Sequence, residues 1–184
     1  MIRPILFLCG VAALVAANAA VAQERGLASV LVAGERAEAA KNAPGLLDAA
    51  QALERMGAHP ADGTADLAAQ WRAEAMAMGA HPTTAPWRGR TLGPAYRRGR
   101  VGAHATFTTR QSFNAGQRAE ISVATLSGGP LDLNVRDDDD RDTCRVRVSE
   151  REGSCSWIPV WTGAYSLSLD NNGDDAAVFY IVTN

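Results

Sequence analysis

Between residues 24 and 79 the apolar positions recur every three to four residues, the spacing that gathers them on one face of a helix. Leu27, Val30 and Leu31 share a face of a segment expected over 24–41, which stops near Asn42, where Pro44 and Gly45 follow. Leu46, Leu47, Ala50, Leu53 and Met56 do the same over 44–56, with Pro44 suited to a first helical turn. A third segment opens at Thr64, a residue able to cap free helix amides, and aligns Leu67, Trp71, Ala75 and Met78. Three amphipathic helices with short connections predict a helical hairpin or bundle.

From about Val101 the period falls to two. The segments "AHATFTTRQSF", "RAEISVATL", "PLDLNVRD", "TCRVRVSE", "SCSWIPVW", "AYSLSLD" and "AVFYIVTN" are short, β-branched or aromatic, and divided by Asn, Asp, Gly and Pro. Leu131, Leu133 and Val135 share one face, as do Tyr165, Leu167 and Leu169, the alternation of antiparallel sheets with a buried side. Seven strands in about 85 residues predict a compact β-sandwich or jelly roll. Cys155, Trp157, Pro159 and Trp161 are expected on one side of their strand, with the proline marking an edge or bulge. The fold class expected is therefore α+β, a short N-terminal helical region followed by an antiparallel, jelly-roll-like sandwich.

The opening "MIRPILFLCGVAALVAANAAVAQ" changes the picture of where this chain works. One basic residue, a short apolar run and small residues at Ala20 and Ala22 read as a bacterial secretory signal peptide cleaved after Ala22. The run is short for a bilayer span, so no stable membrane insertion is expected after cleavage. Cys9 leaves with the leader, and Cys144 and Cys155 remain as an even pair in an oxidising compartment, which predicts a disulfide. Two cysteines with ten residues between them and no nearby histidine do not supply the four ligands of a zinc site. The expected division is 1–22 signal peptide, 23–82 helical region, 83–100 linker or strap, and 101–184 sandwich, in a periplasmic or secreted protein.

All three histidines follow Gly-Ala, two of them in the repeated pentapeptide "MGAHP" at 56–60 and 78–82. The residues upstream of the two copies do not match, so the repeat is confined to helix ends. There glycine can take the left-handed conformation that closes a helix and proline stops its continuation. His59 and His81 would then face the carbonyl end of a helix dipole, and none of the histidines has metal-ligand spacing.

Formal net charge is -2 and the charges are unevenly placed. Seven arginines and no acid lie between Trp87 and Ala119, a basic edge that complements acidic loops or meets an anionic envelope polymer. Without lysine density or interleaved aromatics it does not predict nucleic-acid binding. Arg97, Arg98 and Arg100, with Trp157 and Trp161, form the candidate binding surface. Asp137, Asp138, Asp139, Asp140 and Asp142 are the candidate calcium ligands, since calcium takes several oxygens, although Arg136 and Arg141 beside them offer neutralisation instead. "DNNGDD" at 170–175 reads first as a hairpin turn with Asn172-Gly173 at positive φ.

The residues "FNAGQRAEISV", "GPLDLNVRDDDD" and "CSWIPVWTGAYSLSLDNNGDDAAVFYIVTN" together resemble the bacterial pre-peptidase C-terminal domain over roughly residues 90–184. The shared features are an Asp-Leu-x-Val strand before an acidic turn, a Gly-x-Tyr-x-Leu-x-Leu strand, an Asn-Gly turn and a closing aromatic strand. The resemblance implies a non-catalytic β-sandwich module; some relatives bind extracellular polymers and some use calcium. The cysteine pair and "RDDDDRD" depart from the family's usual pattern, so substrate binding is not carried over.

No Gly-x-Ser-x-Gly elbow, His-Glu-x2-His helix, phosphate-binding glycine loop or catalytic-cysteine arrangement is present. The function expected is non-catalytic binding or accessory interaction with an envelope or extracellular protein or polymer. Two alternatives remain. One is a structural envelope subunit assembling through an exposed stripe of Leu46, Leu53, Leu67 and Trp71; the other is a small secreted hydrolase with converging acids.

Overall fold

The computed structural model describes residues 26–81, 93–149 and 151–184. The leader and most of the expected strap lie outside the described residues. Helices α1 (Leu27–Ala39), α2 (Ala43–Met56) and α3 (Leu67–Ala77) form one layer. Asn42 caps α2, its side chain accepting from the Gly45 amide at 3.2 Å, with proline in the first turn as expected. Gly57 closes the helix at φ 64°. For α3 the cap is Asp66 rather than Thr64, accepting from the Ala69 amide at 3.1 Å.

The strands are β1 (His59–Pro60), β2 (Ala95–Val101), β3 (Ala105–Phe113), β4 (Ala119–Ser127), β5 (Leu131–Arg136), β6 (Asp142–Val148), β7 (Glu152–Trp157), β8 (Gly163–Asn171) and β9 (Ala177–Thr183). They form a five-stranded sheet, β1-β2-β9-β4-β7, facing a four-stranded sheet, β3-β8-β5-β6. All pairings are antiparallel except the two-residue contact of β1 with β2. Residues 95–100, read from sequence as strap, are thus a strand. "AYRRGR" carries arginines where a strand pattern would show apolar residues, and they are tolerated because β2 lies near the sheet edge.

Two cores stack on the five-stranded sheet. Between the sheets lie Ile121, Val123, Leu131, Leu133, Val135, Leu167, Leu169, Phe179 and Ile181. Against the outer face, Tyr96, Ala124, Tyr180 and Val182 pack on Leu31, Leu46, Leu53, Leu67 and Trp71. The stripe that could have assembled with another subunit is therefore buried inside this chain, among the three helices and the outer face of the sheet, and Leu46, Leu53 and Trp71 are inaccessible. Met78, expected on that stripe, is instead at the end of α3 and 37% exposed.

Polar groups fix the helices on the sheet and to one another. Glu35 of α1 accepts a hydrogen bond from the Tyr180 hydroxyl and pairs with Arg98 at 3.0 Å. Glu38 accepts from the Trp71 indole at 3.0 Å, Glu54 pairs with Arg72, and the Tyr96 hydroxyl accepts the Leu67 amide at 2.8 Å.

Candidate functional site

One end of the sandwich gathers the β3–β4 turn (114–118), the β5–β6 turn (137–141) and the β7–β8 loop (158–162). Their common location follows from the register, which opposes Phe113 to Gly163, Ala119 to Trp157 and Arg136 to both Asp142 and Ser166. The β7–β8 loop is pinned at its base. The Gly116 amide donates to the Pro159 carbonyl at 2.9 Å, and the Ala115 amide to the Thr162 hydroxyl at 2.9 Å. On this fixed base Ile158, Val160 and Trp161 project with 66%, 75% and 79% of their surface open. Three large apolar side chains exposed on one short loop form a local apolar patch.

Trp157 and Trp161 do not share a face. β7 ends at Trp157, whose ring packs edge-on to Phe113 at 5.0 Å and beside Tyr165 at 5.2 Å. Its indole nitrogen is buried and has no hydrogen-bond partner among the described residues. Proline at 159 ends the ladder, so the expected alternation from Cys155 to Trp161 breaks after Trp157. Arg97, Arg98 and Arg100 belong to β2, at the opposite side of the sheet from β7, and successive side chains of a strand face opposite ways. Arg98 serves the helix contact through Glu35, and Arg97 reaches the Asp62 carbonyl at 3.5 Å. The sequence-expected combination of these arginines with the two tryptophans is thus not one surface.

The five candidate calcium ligands are held by arginines. Asp137 accepts from the Arg141 side chain and amide, both at 2.9 Å, and Arg141 also pairs with Asp139 at 2.6 Å. Asp138 pairs with Arg110 at 3.1 Å across the end of the sandwich. Arg136 joins Asp140 and Asp142 at 3.1 and 3.0 Å, and Arg145 joins Asp142 at 3.1 Å. The backbone and side chain of Arg141 hold the Asp137 carboxyl below its usual range. Among the described residues no three His, Cys, Asp or Glu are placed to hold a metal ion.

His59 lies in β1, His81 follows α3, and His104 sits on the β2–β3 turn at φ 51° with its Nε2 3.1 Å from Asp174. Asn172 and Gly173 do not take the positive φ expected of them. Asn171 shapes that turn instead, accepting from the Gly173 amide at 3.0 Å and donating to the carbonyls of Gly102 and Asp175 at 2.9 and 2.7 Å. Cys144 and Cys155 form a disulfide between β6 and β7, the edge strands of the two sheets. The bridge fits an extracellular or periplasmic location. No described helix is long and apolar enough to cross a membrane.

Sequence reading named Trp161 but missed Ile158 and Val160 as exposed. The signal available was an apolar run continuing past a proline, where a strand cannot.

No protein-family model and no curated protein matches the sequence. The fold is similar to the pre-peptidase C-terminal domain of a Bacillus anthracis collagenase, at 12% identity and a TM-score of 0.44 over 48% of this chain and 87% of that one. It is also similar to a periplasmic inhibitor of g-type lysozyme from Aeromonas hydrophila, at 13% identity and a TM-score of 0.39 over 50% and 84% of the two chains. A third similar structure is a Yersinia pseudotuberculosis-derived mitogen, at 8% identity and a TM-score of 0.39 over 50% and 85%.

Proposed function

We propose that this chain is an exported, non-catalytic binding module that grips a protein partner through the tip formed by Ile158, Val160 and Trp161. The observation that carries the reading is the concentration of exposed apolar surface. Of the five large hydrophobic residues exposed among those described, three are in this one pinned loop. The polar surround comes from Arg110 with Asp138 and from Arg118, which donates to Ser156. An apolar centre with a charged rim is the anatomy of a protein interface, and tryptophan is a frequent anchor there. A sugar polymer would use aromatic faces flanked by hydrogen-bonding groups, whereas two of the three tip residues are aliphatic. The non-catalytic part of the reading is supported by the dispersal of the histidines and by the use of the clustered carboxylates in arginine pairs.

The test is a crosslinked pull-down from an envelope extract using tagged residues 23–184 and the variant I158S/W161A. One protein captured stoichiometrically by the parent and lost by the variant, at unchanged melting temperature, is the expected result. Trp161→Ala alone should weaken the purified pair by about 2 kcal/mol. Equal capture by both chains would remove the tip from the interface, and recovery of polymer without protein would overturn the partner class.

A further inference from the structure

The two sheets end together on one side of the sandwich and not on the other. β6 and β7, the last strands of their sheets, are joined by the Cys144–Cys155 bridge. Five strands then lie over four, so on the opposite flank the larger sheet overhangs β3, the last strand of the smaller one. The overhang is short but anchored: the His59 amide donates to the Pro94 carbonyl at 3.1 Å and the Ala61 amide to the Tyr96 carbonyl at 2.8 Å. Beneath it a groove lies between Ala61 and Arg97 on one side and Thr109 and Gln111 of β3 on the other, with Leu167 and Ile181 as its floor.

Edge strands present unpaired amides and carbonyls, and the other edges of this fold are guarded. β2 carries Arg97, Arg98 and Arg100 and is capped by β1 at Ala95 and Tyr96. β6 pairs through a bulge at Val135–Arg136 and is tied to β7 by the disulfide. β3 has none of these devices. It pairs with β8 through nine consecutive residues without a shift in register, and it contains no proline, glycine or lysine. Its one charge, Arg110, is exposed on the outer face and paired with Asp138. In an antiparallel strand every second residue turns its amide and carbonyl away from the neighbour. Among the described residues, no backbone group outside β8 meets those of 105–113.

We infer that the open edge of β3 takes an extended segment of a partner protein as a fifth strand, with an acidic side chain of that segment turned onto Arg97. Val101 lies in the core between the sheets and Gly99 lies close on Phe179, so by alternation Arg97 points into the groove. It is half-buried there, reaches the Asp62 carbonyl at 3.5 Å, and has no carboxylate within ion-pair distance among the described residues. Backbone pairing along β3 supplies the affinity, and the cation selects an acidic segment. A single strand fits where a second copy of this chain does not, because a second β3 would bring its own β2 into the space that β1 occupies. This edge shares no residue with the apolar tip.

The probe is a displayed library of random linear peptides of β3's length, selected on tagged residues 23–184, with one synthesised binder then titrated by calorimetry. Selected peptides should share an Asp or Glu. Residue-resolved amide exchange should show alternate amides of 105–113 exchanging fast in the free chain and slowly with peptide bound. N-methylation of one alternate set of the peptide's amides should abolish binding, and of the other set leave it intact, as strand pairing requires. Arg97→Glu should weaken binding by at least about tenfold, and exchanging the peptide's acid for lysine should restore it, which also shows that R97E is folded. The tip variant I158S/W161A should bind as the parent does. A free chain in which every amide of 105–113 is already slow, binders without a shared acid, or equal sensitivity of both sets of peptide amides overturns the inference. Loss of binding in I158S/W161A, or a library that enriches no sequence, does the same.

Discussion

Two single residues report on how closely the helices are seated. Gly34 of α1 lies directly against Trp71, and a methyl group there would sit 2.2 Å from the ring carbons. That distance is far inside van der Waals contact, and the ring is fully buried with no room to turn. Gly34→Ala should therefore destabilise the protein by about 3 kcal/mol in denaturant titration, despite alanine's better helix propensity. Gly63→Ala, with nothing near the added carbon, meets only its positive φ and is the milder control. Tyr180 reports through pH. Burial raises its hydroxyl above the ordinary tyrosine range, and the hydrogen bond to Glu35 and that carboxylate's charge add to the rise. A raised acid is neutral in the fold while the unfolded chain ionises first, so this contribution is intact below the ordinary tyrosine pKa and lost as pH rises beyond it. Tyr180→Phe should lower stability by about 2 kcal/mol at neutral pH by leaving Glu35 short of a donor. Between about pH 9 and pH 11 its stability should also fall less steeply than the parent's, Tyr96 keeping part of the slope because it too is raised by burial. Parallel slopes would show that Tyr180 does not carry the alkaline loss.

At the scale of elements, the acidic turn between β5 and β6 shows what residue type alone cannot settle. Asp137, Asp138, Asp139, Asp140 and Asp142 read from sequence as oxygen donors, yet in the fold each one faces an arginine, two of them contributed by Arg110 and Arg145 outside the tract. A cation would have to displace Arg141 from Asp137 and Asp139 together. The melting temperature should thus be the same in calcium and in EDTA; a calcium-dependent rise would show that the arginines yield. Asp137→Asn should lower the melting temperature at neutral pH, because the depressed carboxyl stabilises only while ionised. That difference should close as pH falls below about 3. Strands β5 and β8 and helix α2 were legible because their apolar positions keep one period and one buried face. β2 was not, since "AYRRGR" offers no alternation of apolar and polar residues, and its place is set by seven partners on β9 rather than by its own composition. The tip loop was half legible. Proline at 159 signals the end of a ladder, but whether Trp157 or Trp161 faces water depends on Phe113 and Tyr165, brought together only by pairing across the sheet.

At the scale of the whole molecule, the described residues form three layers, helices on a five-stranded sheet on a four-stranded sheet, and the middle layer explains why sequence reading divided it in two. β9 runs "AVFYIVT" with both faces buried, Phe179 and Ile181 toward the other sheet and Tyr180 and Val182 toward the helices. A continuous apolar run of this kind is the mark of a strand covered on both sides, and with the apolar faces of the helices it pointed to a helical cover. The helices are consequently not an appendage. A chain restricted to residues 93–184 would expose Tyr96, Ala124, Tyr180 and Val182 as one apolar face and lose the α1 carboxylate that meets Tyr180 and Arg98. That fragment should bind hydrophobic dye and associate, whereas residues 23–184 should melt in one transition with equal calorimetric and van't Hoff enthalpies. Two separated transitions, or a monomeric and stable strand-only fragment, would mean that the helical layer is dispensable. The sandwich would then have to be stable with its outer sheet face in water, and α1's glutamates would have some task other than holding the layers together.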